Sequence, residues 1–204
     1  MLKKELLIPG QVFDAAVPTG DLSLGSAVVY ARKMGLPVAN LICACNENGA
    51  LWELVNHGEL RGDVQAVTTV TPLADHAVPP ELERLIHMGL GREEAERYSH
   101  CRDHGATYSL RPDLIQKLRE GLSVAVVSGD RVSAVCATEY QTSGYILGPY
   151  TALAYGALMD FRAKTGESRP ALILADRSAV CDADLVSAAL RMTKEELNRL
   201  TQKG

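Results

Sequence analysis

Short, continuous apolar runs alternate along this chain with longer stretches that carry apolar residues on one helical face, the pattern of strands exchanging with helices. Val12, Phe13, Ala15, Ala16 and Val17 form the first run, which suits a strand buried on both faces, as in a parallel sheet. Pro18 ends it, and Thr19, Gly20, Asp21, Ser23, Gly25 and Ser26 supply a turn of small residues. A helix is expected from Ala27, with Val28, Val29, Ala31, Met34 and Leu36 on its apolar side and Gly35 and Pro37 as its stop. Further strands are read at 40–45, 63–71, 123–127 and 171–174, and the second of these rests on alternation and β-branching. Helices are read at 50–55, from Pro79 or Pro80 to Met88, from Arg92 toward Gly105, at 112–120, 149–164 and 182–191. Thr193 and Glu196 have capping-box spacing and predict a last helix over 194–202. The fold class is therefore α/β, a mostly parallel sheet with helices on both faces, in one domain over 1–204.

With 204 residues, 47% of them hydrophobic, one substantial core is expected. The formal net charge of -4 argues against nucleic-acid binding. No apolar segment has the length of a membrane span, and residues 1–10 are too short and polar for a signal peptide. The five cysteines, Cys43, Cys45, Cys101, Cys136 and Cys181, form no C-x-x-C pair, so reduced thiols and a cytoplasmic location are expected.

Candidate chemistry is sparse. The turn at Gly20–Ser23 joins a strand to a helix, where free N–H groups and the positive end of the helix dipole favour phosphate. Small residues also serve simply to turn the chain tightly, and the charge of Asp21 opposes phosphate. Asn46 to Gly49 is polar at the carboxyl end of a strand, where open α/β sheets bind ligands. His100 and His104 share a helix face beside Cys101, but without an evident third ligand they read as a solvated face, and no metal is predicted. Cys43 and Cys45 read as buried thiols, and Asp75 and His76 as a surface pair in a loop.

PTGDLSLGSAVVYARKMGLP followed by NLICACNENG resembles the second half of threonine synthase, a pyridoxal-phosphate enzyme of fold type II, where the text is similar to P-T-G-N-F-G-N, A-K-K-M-G-L-P and A-T-N-E-N-D. TPLADHAVPPELERL resembles the family's S-P-S-M-D-I-x-V-S-S-N-x-E-R-L, keeping Pro72, Asp75, Val78, Glu83, Arg84 and Leu85. GYILGPYTALAYGAL resembles G-Y-x-x-D-P-H-T-A-V-G, and LILADRSAV stands where an apolar strand leads to T-A-H-P-A-K. The resemblance implies the larger domain of a fold type II enzyme and a lyase that converts O-phosphohomoserine to threonine. Gly20, Asp21, Leu22 and Ser23 would then face the cofactor phosphate, and Ala175 would take the place of the threonine facing the pyridine nitrogen. In the family, the neighbourhood of 123–127 is mostly helical.

The same resemblance exposes departures. Pyridoxal phosphate needs a Schiff-base lysine, usually with a pKa lowered by burial. The family's F-K-D-type lysine motif lies in a first half without a counterpart here, and Lys3, Lys4, Lys33, Lys117, Lys164, Lys194 and Lys203 lack an apolar setting. Asp21, Leu22, Ser23 and Leu24 replace Asn-Phe-Gly-Asn, and Asp176, Arg177 and Ser178 replace A-H-P. Gly148-Pro149-Tyr150 replaces D-P-H, and Pro79-Pro80-Glu81 replaces S-S-N. Two expectations follow. The chain pairs with a complementary N-terminal-half polypeptide that brings the lysine, or it is a non-catalytic relative that binds a small anionic ligand or a protein partner. Half of a domain would leave apolar surface open, so a homodimer is expected as well.

Overall fold

In the computed structural model, residues 7–175 and 177–202 are described. A four-stranded parallel sheet lies at its centre in the order β5-β2-β1-β6, formed by β1 (Phe13–Pro18), β2 (Val38–Cys45), β5 (Leu122–Val126) and β6 (Ala171–Ile173). Every residue of β1 is buried, as its continuous apolar run predicts. Ala15, Ala16 and Val17 pair with Leu41, Ile42 and Cys43, while Ala16 also faces Ile173. The register shifts between Phe13 and Ala15. There the fully buried Asp14 carboxylate accepts bonds from Asn40 N at 3.2 Å and Asn40 Nδ2 at 2.8 Å, so a side chain supplies the partner that the shifted ladder lacks.

Alternate residues of the strands build two cores, one on each face. Ala15, Val17, Leu41, Cys43 and Cys45 pack with α1 (Ser23–Lys33), α2 (Ala50–His57), α3 (Leu82–Leu90), α4 (Arg92–Asp103) and α5 (Pro112–Arg119). Ala16, Ile42 and Ala44 pack on the other side with α6 (Gly129–Ser143) and α7 (Pro149–Thr165). A small cluster around Val186 and Leu197 joins α8 (Ala183–Leu190) to α9 (Lys194–Thr201), and the predicted capping box of Thr193 and Glu196 is present. The short antiparallel pair β3 (Glu59–Leu60) and β4 (Tyr108–Ser109) stands apart from the main sheet.

Several expectations are corrected. The helix expected from Ala27 begins at Ser23, so it absorbs part of the turn. The strand expected over 63–71 is irregular, because its polar groups are bonded to side chains from β2's end rather than to a neighbouring strand. α3 begins at Leu82, after Pro79 and Pro80, with Glu81 preceding its first turn. Residues 122–126 are a sheet strand although the family resemblance implied helix. α6 was not anticipated; Ser128 caps it and Gly144 ends it in the left-handed conformation, around a buried stripe of Val132, Val135 and Cys136. The helix expected over 182–191 is α8, and a 3-10 turn at Ala179–Asp182 precedes it.

Candidate functional site at the carboxyl edge of the sheet

The parallel strands all point their carboxyl ends at one edge, the usual place for a ligand in an open α/β sheet. The turn Gly20–Ser23 follows β1 there, and Ala175 follows the neighbouring β6. Topology thus brings the sequence-predicted site residues to adjacent strand ends. Gly20 has φ 47° and Leu22 φ 73°. Two left-handed residues fold the loop back, and the Leu22 side chain is anchored with no exposed surface, which offsets the cost of that backbone shape in a non-glycine residue.

The loop is closed by its own groups. Leu22 N donates to Thr19 O at 2.6 Å, and Ser23 N donates to Asp21 Oδ1 at 2.8 Å, a turn in which an aspartate bonds the backbone two residues on. Ser23 holds the Asp21 carboxyl below the usual range, so it is charged at neutral pH. Glu81 N donates to Asp21 O at 3.0 Å, bringing the Pro79-Pro80-Glu81 segment against the loop.

At the end of β2, the polar stretch is equally engaged. Asn46 is 2% exposed; its Nδ2 reaches Thr69 Oγ1, Thr71 Oγ1 and Asp75 Oδ1 at 2.9, 3.1 and 2.7 Å. Its Oδ1 accepts from the Asn48 backbone N and Nδ2. Asp75 also accepts from Thr69 N at 2.9 Å and Thr69 Oγ1 at 2.6 Å. The expected surface pair of Asp75 and His76 is therefore corrected: Asp75 is half-buried and organises the loop over β2. Glu47 Oε1 accepts from Gly129 N at the start of α6, where a carboxylate complements the helix dipole. Sequence reasoning missed this pair, which is 82 residues apart.

An open cavity of about 690 Å³ remains beside β6, lined by Tyr145, Gly148, Thr151, Ala175, Arg177 and Ser178 among others. The start of α7 faces it, with Gly148 preceding the helix and no side-chain cap. Arg177 is 28% exposed, its Nε lies 3.2 Å from Asp182 Oδ2, and its guanidinium lies 5.7 Å from the Tyr150 ring centre. Tyr150 is buried and accepts a 3.0 Å bond from Leu73 N, so this position ties α7 to the loop over β2. Asp176 lies outside the described residues.

The remaining candidates are structural. Among the described residues no group of His, Cys, Asp and Glu is arranged to hold a metal. The His100 and His104 rings are tilted by 39° to each other with centres 4.3 Å apart, and His104 Nδ1 lies 2.8 Å from His100 O. Burial pushes the Cys45 and Cys136 thiols up to about 11, and the Cys43 thiol higher still. Cys181 is exposed and Cys101 half-buried, and all five thiols are free. A thiol reagent at pH 8 should therefore label Cys181 first, with Cys43, Cys45 and Cys136 modified only after unfolding; peptide mapping of the labelled sites checks this order.

The lysines decide the covalent chemistry. Lys33, Lys117, Lys164 and Lys194 are all exposed, with Lys33 Nζ bonded to Met88 O at 2.7 Å and Lys194 paired with Asp184. Lys3, Lys4 and Lys203 lie outside the described residues. No described lysine is buried among apolar groups, the setting a Schiff-base lysine uses.

The sheet and its two helical layers have the fold of the larger domain of fold type II pyridoxal-phosphate enzymes, as solved structures similar to this chain show. A pyridoxal-phosphate-bound threonine synthase from Brucella melitensis superposes with a TM-score of 0.82 at 22% identity, over 92% of this chain and 40% of that one. In sequence, threonine synthase-like 1 from Homo sapiens is 30% identical over 150 residues, 71% of this chain and 20% of that protein. Threonine synthase-like 2 from Mus musculus is 28% identical over 183 residues, 89% of this chain and 38% of that protein. No family model matches. The chain is similar to the threonine synthase family in sequence and in fold, and spans about a fifth to two-fifths of the length of these relatives.

Pyridoxal phosphate is the cofactor that this family implies, and the residues present do not fit it. Were the phosphate at the turn and the ring beside Ala175, as the resemblance implies, the phosphate would meet the Asp21 carboxylate already on the Ser23 amide, the Ala175 methyl group would offer the ring nitrogen no hydrogen bond, and no described lysine is buried to form the covalent link.

Proposed function

We propose that this chain is a threonine synthase-like scaffold that does not by itself convert O-phosphohomoserine to threonine, and that it holds a small anionic ligand in the cavity at the start of α7. The observation that carries the reading is that the cation lining this cavity is an arginine, Arg177, beside a helix N-terminus. A guanidinium keeps its charge and offers a planar fork for carboxylate or phosphate, but it forms no Schiff base under these conditions. Thr151 and Ser178 add hydroxyl groups to the lining. The five free thiols agree with a cytoplasmic location.

The test is a titration of ¹⁵N-labelled protein with inorganic phosphate. Saturable shifts of the Thr151 and Ser178 amides are expected, weakened about tenfold or more in R177Q and largely kept in R177K. No saturable shift, or shifts that R177Q leaves unchanged, would reject the anion site. Threonine formation from O-phosphohomoserine with added pyridoxal phosphate should stay at background.

The open edges of the sheet favour a second reading, in which a lysine-bearing polypeptide or a second copy completes the domain. Among the described residues β5 and β6 each lack a strand on their outer side, and Tyr30 on α1 and Met34 just after it are exposed, Met34 at 87%. Sedimentation at high concentration should then reveal a dimer, or a complex with a separately expressed lysine-bearing half. A monodisperse monomer that ignores such a half would count against it.

A further inference from the structure

We propose that Asp21 makes the turn after β1 selective against phosphate, so that the loop that would cradle the cofactor phosphate in this fold is held closed by the chain's own carboxylate. The argument is one of occupancy and charge. Of the amides at the turn, Leu22 N is spent on Thr19 O and Ser23 N on Asp21 Oδ1. A phosphate that took the Ser23 amide would have to displace this carboxylate and then remain beside its negative charge. The helix dipole that favours an anion there is already satisfied by Asp21.

The backbone gives the carboxylate little reason to leave. Asp21 O is fixed by Glu81 N at 3.0 Å, and Ser26 N closes on Leu22 O at 2.9 Å. Leu22 sits fully buried between the two, which holds the turn in register. Gly20 has open space where a side chain would stand, so the loop excludes phosphate by charge and occupied donors rather than by bulk. Asp21 is itself exposed, so its substitution tests the charge with little demand on the core.

This inference concerns a different place from the Arg177 cavity and stands or falls separately. The experiment follows the Gly20, Leu22, Ser23 and Gly25 amides by ¹⁵N spectroscopy during titration with inorganic phosphate and, separately, pyridoxal phosphate. The wild-type loop should show no saturable shift. D21N keeps a side-chain oxygen for the Ser23 amide but removes the charge, and D21G removes both; each should gain saturable loop shifts, tightening phosphate binding about tenfold or more. Saturable loop shifts in the wild type would overturn the proposal. So would D21N and D21G variants that remain folded and bind no better than wild type. Shifts confined to Thr151 and Ser178 leave the exclusion standing and report on the other cavity, which keeps the two proposals distinguishable.

Discussion

Replacing Asn46 with leucine should cost about 2–4 kcal/mol of stability, a fall in melting temperature of roughly 5–15 °C for a chain of this size. Asn46 shares its two amide hydrogens among Thr69, Thr71 and Asp75 and takes two bonds from Asn48. Leucine has similar bulk but leaves the fully buried Thr71 hydroxyl with only Thr69 Oγ1 of its two side-chain partners, leaves the Asn48 donors without Asn46 Oδ1, and leaves Asp75 with one donor fewer. An unmet buried polar group costs more than the bond it once made contributes. The loop over β2 has no strand pairing to hold it in compensation, so its loss of order should precede global unfolding. Urea denaturation measures the cost, and hydrogen exchange at Thr69 and Thr71 reads the loop. Unchanged stability in N46L would mean that the network is incidental to the fold.

Truncating Leu153 to alanine should cost about 2–5 kcal/mol for a different reason. Leu153 is fully buried on α7 and belongs to the core that includes Ala16, Ile42 and Ala44. Ala16, Ala44 and Ala125 on that face of the sheet are small, and they have little side chain to collapse into a vacated volume. The same truncation at Met159, which is 43% exposed on the same helix, should cost within about 0.5 kcal/mol. Comparable losses at both positions in thermal or urea unfolding would indicate a helix-propensity effect rather than a cavity.

The parts of this fold legible in the sequence are those specified by neighbouring residues. The apolar run of β1 needs no distant partner to be read, and neither do Pro149 at the start of α7 and Gly166 after its end, or Thr193 with Glu196. The misread segment, 63–71, shows the opposite case. Its valines and threonines satisfy a strand pattern, but their polar partners Asn46 and Asn48 come from more than fifteen residues away and bind side chains as well as backbone. α6 escaped because it is rich in small and polar residues, although Ser128 and Gly144 mark its ends. The turn at Gly20–Ser23 was legible as a loop at a strand end, and its contact with Glu81 was not, since that depends on how α3 docks beside α1. Arg177 was visible only as a departure from the family's text; its place in a cavity with Thr151 depends on β6 and α7 packing together.

The family's architecture is present here, and on the proposed reading its covalent cofactor chemistry is not. The most direct measurement is a titration of the purified chain with pyridoxal phosphate, read as visible absorbance, followed by borohydride reduction and mass mapping of every lysine. No saturable absorbance band and no lysine carrying a stoichiometric adduct are expected. Saturable binding with a reduced adduct on one specific lysine would contradict it, and would show that this chain supplies the very group that its exposed lysines lack the setting to provide.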